Sequence, residues 1–261
     1  MANEIKSTSM VNVEKLMCKT NEEWSIARKD GIGGSDIPTL LGCNPYLSIN
    51  EWFEIRMGRK ESSAETNAMR MGHVLEPYIA ESFAKMHPNL ILDDTSVGNY
   101  ILVDSEHPWR RVSPDREFID HKGNRVLLEC KSSHSWLDNQ LATDGINEYW
   151  LLQTTWQMGI SGIHKAYIAF MDTPRYTNCT IGELELDFCS DLYNLECEIA
   201  DKVWHENLCK NIAPSEICLR EQVRDLAKEV IEKAKEPYAR AKAEADAEKA
   251  RKKEEKKKNK V

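Results

Sequence analysis

The chain has 261 residues, 41% of them hydrophobic, which is enough to bury a sizeable core as one large domain or as one domain with an appendage. It has no apolar run long enough to cross a bilayer, and its first residues, MANEIKSTSMVNVEK, lack the apolar centre of a secretory signal, so a cytosolic protein is expected. The formal net charge of -8 argues against broad adhesion to a phosphate backbone, while leaving room for a small basic channel or a metal-assisted site.

Residues 21–28, NEEWSIAR, begin with a capping residue and acidic first-turn side chains, and the glycines of KDGIGG stop that helix. SDIPTLLG, residues 35–42, restarts as a short helix capped by Ser35 and ended by Gly42. From Asn67 to Met86 the pattern is helical, with Leu75, Ile79 and Phe83 on one apolar stripe and a bend or fresh start at Pro77.

Strand-like runs follow at 99–104, 116–120, 125–131, 165–171 and 181–187, with a helix at 147–161 between the third and fourth. Such a mixture predicts a sheet flanked by helices, α/β or α+β. Residues 190–212 carry Leu192, Leu195, Ile199 and Val203 at helical spacing, an apolar face for packing on the sheet.

Beyond Pro214 the composition changes. Residues 221–261 hold 14 Lys and Arg against 10 Asp and Glu, leaving 21 against 33 in residues 1–220. This stretch reads as a long solvated helix ending in a disordered tail, and it sets a domain boundary between residues 1–213 and 214–261. The eight cysteines include no C-x-x-C pair, which fits reduced thiols better than a zinc site or a disulfide framework.

The most informative stretch is SPDREFIDHKGNRVLLECK, residues 113–131. Gly123 can supply the positive φ of a tight connection, so the two strands form a hairpin. Along the second strand, Leu127, Glu129 and Lys131 share one face and Val126, Leu128 and Cys130 the other. Asp115 joins the charged face only if it lies opposite Glu129, through a three-residue loop 121–123, or opposite Lys131, through loop 122–124. A two-residue turn would send it to the wrong face.

Two neighbouring carboxylates repel and raise each other's pKa unless a cation neutralises them. Asp and Glu oxygens suit Mg²⁺, or Mn²⁺ in its place, and the Cys130 carbonyl is positioned as a further ligand. Lys131 on the same face can orient or deprotonate a water beside such an ion.

Ser-Pro-Asp115 followed by Glu129-Cys-Lys131 resembles the PD-(D/E)XK nuclease signature. Three further stretches, RKDGIGGSD from Arg28, MGHVLEP around Glu76 and YWLLQTTWQMGISG around Gln153, are similar in order and spacing to the YqaJ-like, lambda-type phage exonucleases. The resemblance covers roughly residues 20–210. It implies a restriction-endonuclease-like central mixed sheet flanked by helices, with the C-terminal helical part as an extension.

The resemblance also implies roles. Asp115, Glu129, the Cys130 carbonyl and Glu76 hold the metal, Lys131 acts on the water, and Gln153 contacts the active site from its helix. Arg28 and Ser35, helped by Ser113, bind a DNA 5′-phosphate, consistent with the anion affinity of an arginine, a hydroxyl and a helix N-terminus together. Thr155 stands where the family often has a second glutamine, with Gln157 one turn beyond Gln153. No second pocket arginine is evident in SSHSWLDNQ, residues 132–140.

The implied activity is Mg²⁺-dependent 5′-to-3′ exonucleolysis of duplex DNA in phage recombination, leaving 3′ overhangs. Its partners are 5′-phosphorylated duplex ends and a single-strand annealing recombinase, and its assembly is a homotrimer in the cytoplasm of a bacterial host. The hairpin itself leaves two alternatives open, an endonuclease using the same site and a DNA-end binding module without turnover.

Overall fold

The computed structural model describes residues 12–133, 137–172 and 180–258. Strand β1 (Val13–Met17) is followed by helices α1 (Asn21–Lys29), α2 (Ile37–Leu40), α3 (Ile49–Arg56) and α4 (Asn67–Met86). Five strands come next: β2 (Leu90–Leu92), β3 (Tyr100–Asp104), β4 (Arg111–Val112), β5 (Arg116–Asp120) and β6 (Arg125–Ser133). Helices α5 (Leu137–Asp144) and α6 (Glu148–Ser161) lead to β7 (Lys165–Asp172) and β8 (Thr180–Asp187). The chain ends in α7 (Ser190–Lys202), continued by a π-turn over Val203–Leu208, then α8 (Arg220–Leu226) and α9 (Lys228–Lys258).

The strands form two sheets rather than one. The larger has the order β2-β5-β6-β7-β8, with β6 and β7 parallel and the other pairs antiparallel; the smaller has the order β1-β3-β4. The strand expected at 99–104 lies in the smaller sheet because β2 already occupies the free edge of β5, pairing Leu90 with Asp120. Both faces of the larger sheet are covered. Val126, Leu128, Phe118 and Ala169 pack with Ile79 and Phe83 of α4, while Leu127, Ile168, Leu184 and Leu186 join the core that contains Leu151 and Leu152 of α6. Covering helices on both faces explain why β6 and β7 are apolar at successive positions.

Four expectations change. Thr20 caps α1, accepting from the Glu23 N–H at 3.1 Å, so the cap precedes Asn21. The N-cap position of α2 is Asp36 rather than Ser35, with no side-chain capping bond; Asp36 Oδ2 instead takes the Gly33 N–H at 2.8 Å and Ser35 turns to Arg28. Helix α4 is a single element through Pro77, so no fresh start occurs there. Helix α7 packs on α6 and α2 instead of the sheet; α6, with ten of its 14 residues buried, already fills the intervening layer.

The first half of the C-terminal extension is packed on the core along one face. Val223, Ala227, Ile231 and Ala234 are buried in the main core, and the Tyr238 hydroxyl donates to the Glu183 carbonyl at 2.7 Å. Arg224 donates to Glu148 at 2.6 Å. Residues 243–252 are exposed, and 259–261 lie outside the described residues. No helix among the described residues is long and apolar enough to cross a membrane.

Glu196 of α7 is fully enclosed, and neither carboxyl oxygen has a hydrogen-bond partner among the described residues. Burial, reinforced by Cys189, pushes its carboxyl well above the ordinary glutamate range. A folded-state pKa above the unfolded one means stability present below about pH 4.3 and lost progressively as pH rises. Glu196→Met is therefore expected to stabilise the protein by about 1–3 kcal/mol at pH 8 and by much less at pH 5. Thermal denaturation at the two pH values checks this; an equal gain at both would mean that the acid is not the source.

Candidate active site

The β5–β6 register pairs Arg116 with Leu128, Glu117 with Leu127, Phe118 with Val126 and Ile119 with Arg125. Its continuation sets Asp115 opposite Glu129 and leaves loop 121–123, with Gly123 at φ +83°. Asp120 fastens the turn, its carboxylate accepting from the Lys122 and Asn124 N–H groups at 2.8 Å each. The parity argument from the sequence is thereby met, and Asp115 falls on the charged face.

Asp115 Oδ2 accepts the Cys130 N–H at 2.7 Å. Because the N–H and C=O of a strand residue project from the same edge, the Cys130 carbonyl lies on the Asp115 side as well. Glu129 is held by three donors: Lys131 Nζ and Gln153 Nε2 at 2.6 Å to Oε1, and Gln157 Nε2 at 2.8 Å to Oε2. Lys131 Nζ also donates to Gln153 Oε1 at 2.8 Å, closing a ring of three side chains. Gln157 thus takes up the carboxylate that Thr155 does not reach; Thr155 is buried with its hydroxyl unpartnered among the described residues.

Burial pushes the Asp115 carboxyl well above its usual range, and Glu129 and Glu76 push it further. Lys131 is raised despite burial, because Glu129 and Asp115 together outweigh the loss of water around its ammonium. The corner therefore carries more negative charge than its one ammonium neutralises. Among the described residues no group of three His, Cys, Asp or Glu side chains is already gathered as a metal cage.

Glu76 reaches this corner from α4, where its Oε1 pairs with Arg116 Nη1 at 3.1 Å. Arg116, which also donates to the Asp115 carbonyl, was not singled out from the sequence. Its signal was an arginine alternating with Phe118 on an otherwise apolar strand face. His73, one turn before Glu76, is exposed and turned to Glu65 at 3.1 Å.

Next to Gln153 and Gln157 lies a small recess, open to solvent, lined by Arg28, Gly33, Gly34, Ser35, Arg111 and Ser113. Arg28 Nη2 donates to Ser35 Oγ at 3.0 Å, and its guanidinium stacks on Trp24 at 4.5 Å. The Trp24 indole donates to Ser113 Oγ at 3.1 Å, while Ser113 gives its own proton to the Tyr100 carbonyl at 2.7 Å. Ser113 is thus committed on both sides, and Trp24, absent from the sequence-based set, orders two of the recess residues.

The mixed sheet, covered by helices on both faces, gives the chain a restriction-endonuclease-like fold. The model of the YqaJ-like viral recombinase domain family matches residues 23–164, more than half of the chain, and the chain belongs to that family. The uncharacterized protein YqaJ of Bacillus subtilis (strain 168) is 26% identical over 155 residues, a span of 58% of this chain and 46% of that relative. The match therefore spans less than half of the relative's length.

An alkaline exonuclease, LHK-Exo from Laribacter hongkongensis, shares the fold with a TM-score of 0.59 at 17% identity, over 79% of this chain and 98% of that one. LHK-Exo in complex with dAMP aligns with the same TM-score and identity over 80% of this chain and 98% of that one.

Proposed function

We propose that the chain is a metal-dependent nuclease that degrades the 5′ strand of linear duplex DNA from phosphorylated ends, leaving 3′ single-stranded overhangs. The observation that carries this reading is the meeting of Asp115, Glu129 and Lys131 beside a recess lined by Arg28 and Ser35. Gln153 borders both, so neighbouring phosphates of one strand can reach the two together.

Mg²⁺, or Mn²⁺ in its place, fits the donors: Asp115, Glu129, the Cys130 carbonyl and Glu76 offer oxygen alone, and the crowding that raises Asp115 is what a divalent cation relieves. Held by these residues, such an ion would supply Lewis-acid activation of a water and neutralisation of charge on the phosphate. The Lys131 ammonium, kept charged by its acidic neighbours, orients the attacking water and donates toward the phosphate oxygens. Gln153 and Gln157 keep the two Glu129 oxygens aimed. The family likeness adds a homotrimer, a single-strand annealing recombinase partner and a bacterial cytoplasm as further expectations.

The test is digestion of linear duplex in Mg²⁺ with each strand labelled. The strand bearing a 5′-phosphate should shorten from that end, and a 5′-hydroxyl end should slow it about tenfold or more, the worth of one or two charge-assisted hydrogen bonds. Shortening from 3′ ends, or cutting of a closed circular duplex, would overturn the reading.

A further inference from the structure

The recess beside Gln153 contains a second guanidinium to which the reading above gives no role. Arg111 lines it together with Arg28 and Ser35, and its side chain is only 15% exposed. Two of its groups are fixed by carbonyls: Nη1 donates to Ala27 at 2.6 Å and Nε to Pro108 at 2.8 Å. No hydrogen bond occupies Nη2 among the described residues.

Among the described residues the only carboxylate paired with it is Asp30 at 3.6 Å, which is itself 64% exposed. A mostly enclosed guanidinium with one screened counter-charge favours an anion beside it.

The glycine loop is built around this arginine. A Cβ on Gly31 would stand 2.8 Å from Arg111 Cδ and 2.4 Å from the Trp109 carbonyl, so only glycine lets the loop close over that side chain. The Arg111 N–H also donates to the Ile32 carbonyl at 3.0 Å. Arg56 fixes the loop from the other side, donating to the carbonyls of Lys29 and Gly31. Arg111 is thus held in place before any ligand arrives, the condition under which a planar fork binds a phosphate most selectively.

Resting on the terminal-phosphate reading of the recess, we propose that Arg111 is its second phosphate-binding guanidinium. With Arg28 it would clasp the 5′-phosphate and set the preference for phosphorylated over hydroxyl DNA ends. The second arginine sought in 132–140 would then come from β4, just before the Ser-Pro-Asp turn.

Binding is measured without divalent ions, using hairpin duplexes that carry a 5′-phosphate or a 5′-hydroxyl. The proteins are the unaltered chain, Arg28→Gln, Arg111→Gln and Arg111→Lys, with thermal denaturation alongside. Arg111→Gln should cut the phosphate preference about tenfold while barely changing affinity for the hydroxyl end. Should Arg111→Gln fail to fold, Arg111→Lys carries the test: lysine keeps the charge but cannot hold two carbonyls and present a further N–H, so the preference should still fall severalfold.

A folded Arg111 variant with an unchanged preference, or with equal losses at both ends, overturns the proposal. If Arg28→Gln abolishes the preference in that case, the recess reading survives and Arg111 is scaffold only. No preference in the unaltered chain would sink both.

Discussion

Lys131→Ala is expected to slow the degradation of linear duplex DNA in Mg²⁺ by about 10³-fold, the worth of a group that orients the nucleophile and stabilises charge in the transition state. The substitution should leave the fold in place, because Glu129 keeps its bonds from Gln153 and Gln157. A strand-resolved rate measurement, with circular dichroism as the control for folding, decides the matter. An undiminished rate in a folded variant would remove the chemistry from this corner, and the chain would then be better described as a DNA-end binding protein.

Asp115→Asn should have two effects of opposite sign. Turnover should fall by a similar factor, about 10³-fold, since an amide neither repels its neighbours nor holds a divalent cation well. The metal-free protein should melt at a higher temperature. Burial and the charges of Glu129 and Glu76 disfavour ionised Asp115 more than Lys131 favours it, so its raised pKa is a cost that grows as pH climbs above about 3.9.

Asparagine keeps an acceptor for the Cys130 N–H without that cost. Melting curves of both proteins in chelator at pH 5 and pH 8 test this: the variant's advantage should be larger at pH 8. A variant less stable than its parent at both would mean that the acidic corner is not strained.

The hairpin was legible in the sequence because side-chain alternation is a matter of parity. Once loop 121–123 is chosen, the face of Asp115 follows without any knowledge of what packs around it. Arg28 and Ser35 came together through the family resemblance rather than through any local pattern, and they bond at 3.0 Å across a helix end and a glycine turn.

Contacts between distant segments were not legible. Arg116 meets Glu76 across 40 residues, and Arg111 passes under a loop 80 residues earlier in the chain, so no local pattern marks either. Strands β2 and β4 escaped notice because three and two residues are too few for period-two alternation to stand out, and β1, VEKLM, does not alternate. In the extension, the stripe Val223, Ala227, Ile231 and Ala234 was present, but the surrounding charge concealed a face that the core uses.

Helix α6 carries Gln153 and Gln157 and is enclosed on nearly every side, which bears on how this protein can change over generations. A segment answerable to a sheet, to a neighbouring helix and to the buried Glu129 carboxylate has almost no position free to drift, since densely packed interiors register the loss or gain of a single methylene. Tolerated variation is then steered outward, to the bare side of α4 and residues 243–252 of α9, which are exposed. Diversification should thus be able to reshape what this protein touches while the groups nearest its chemistry stay fixed.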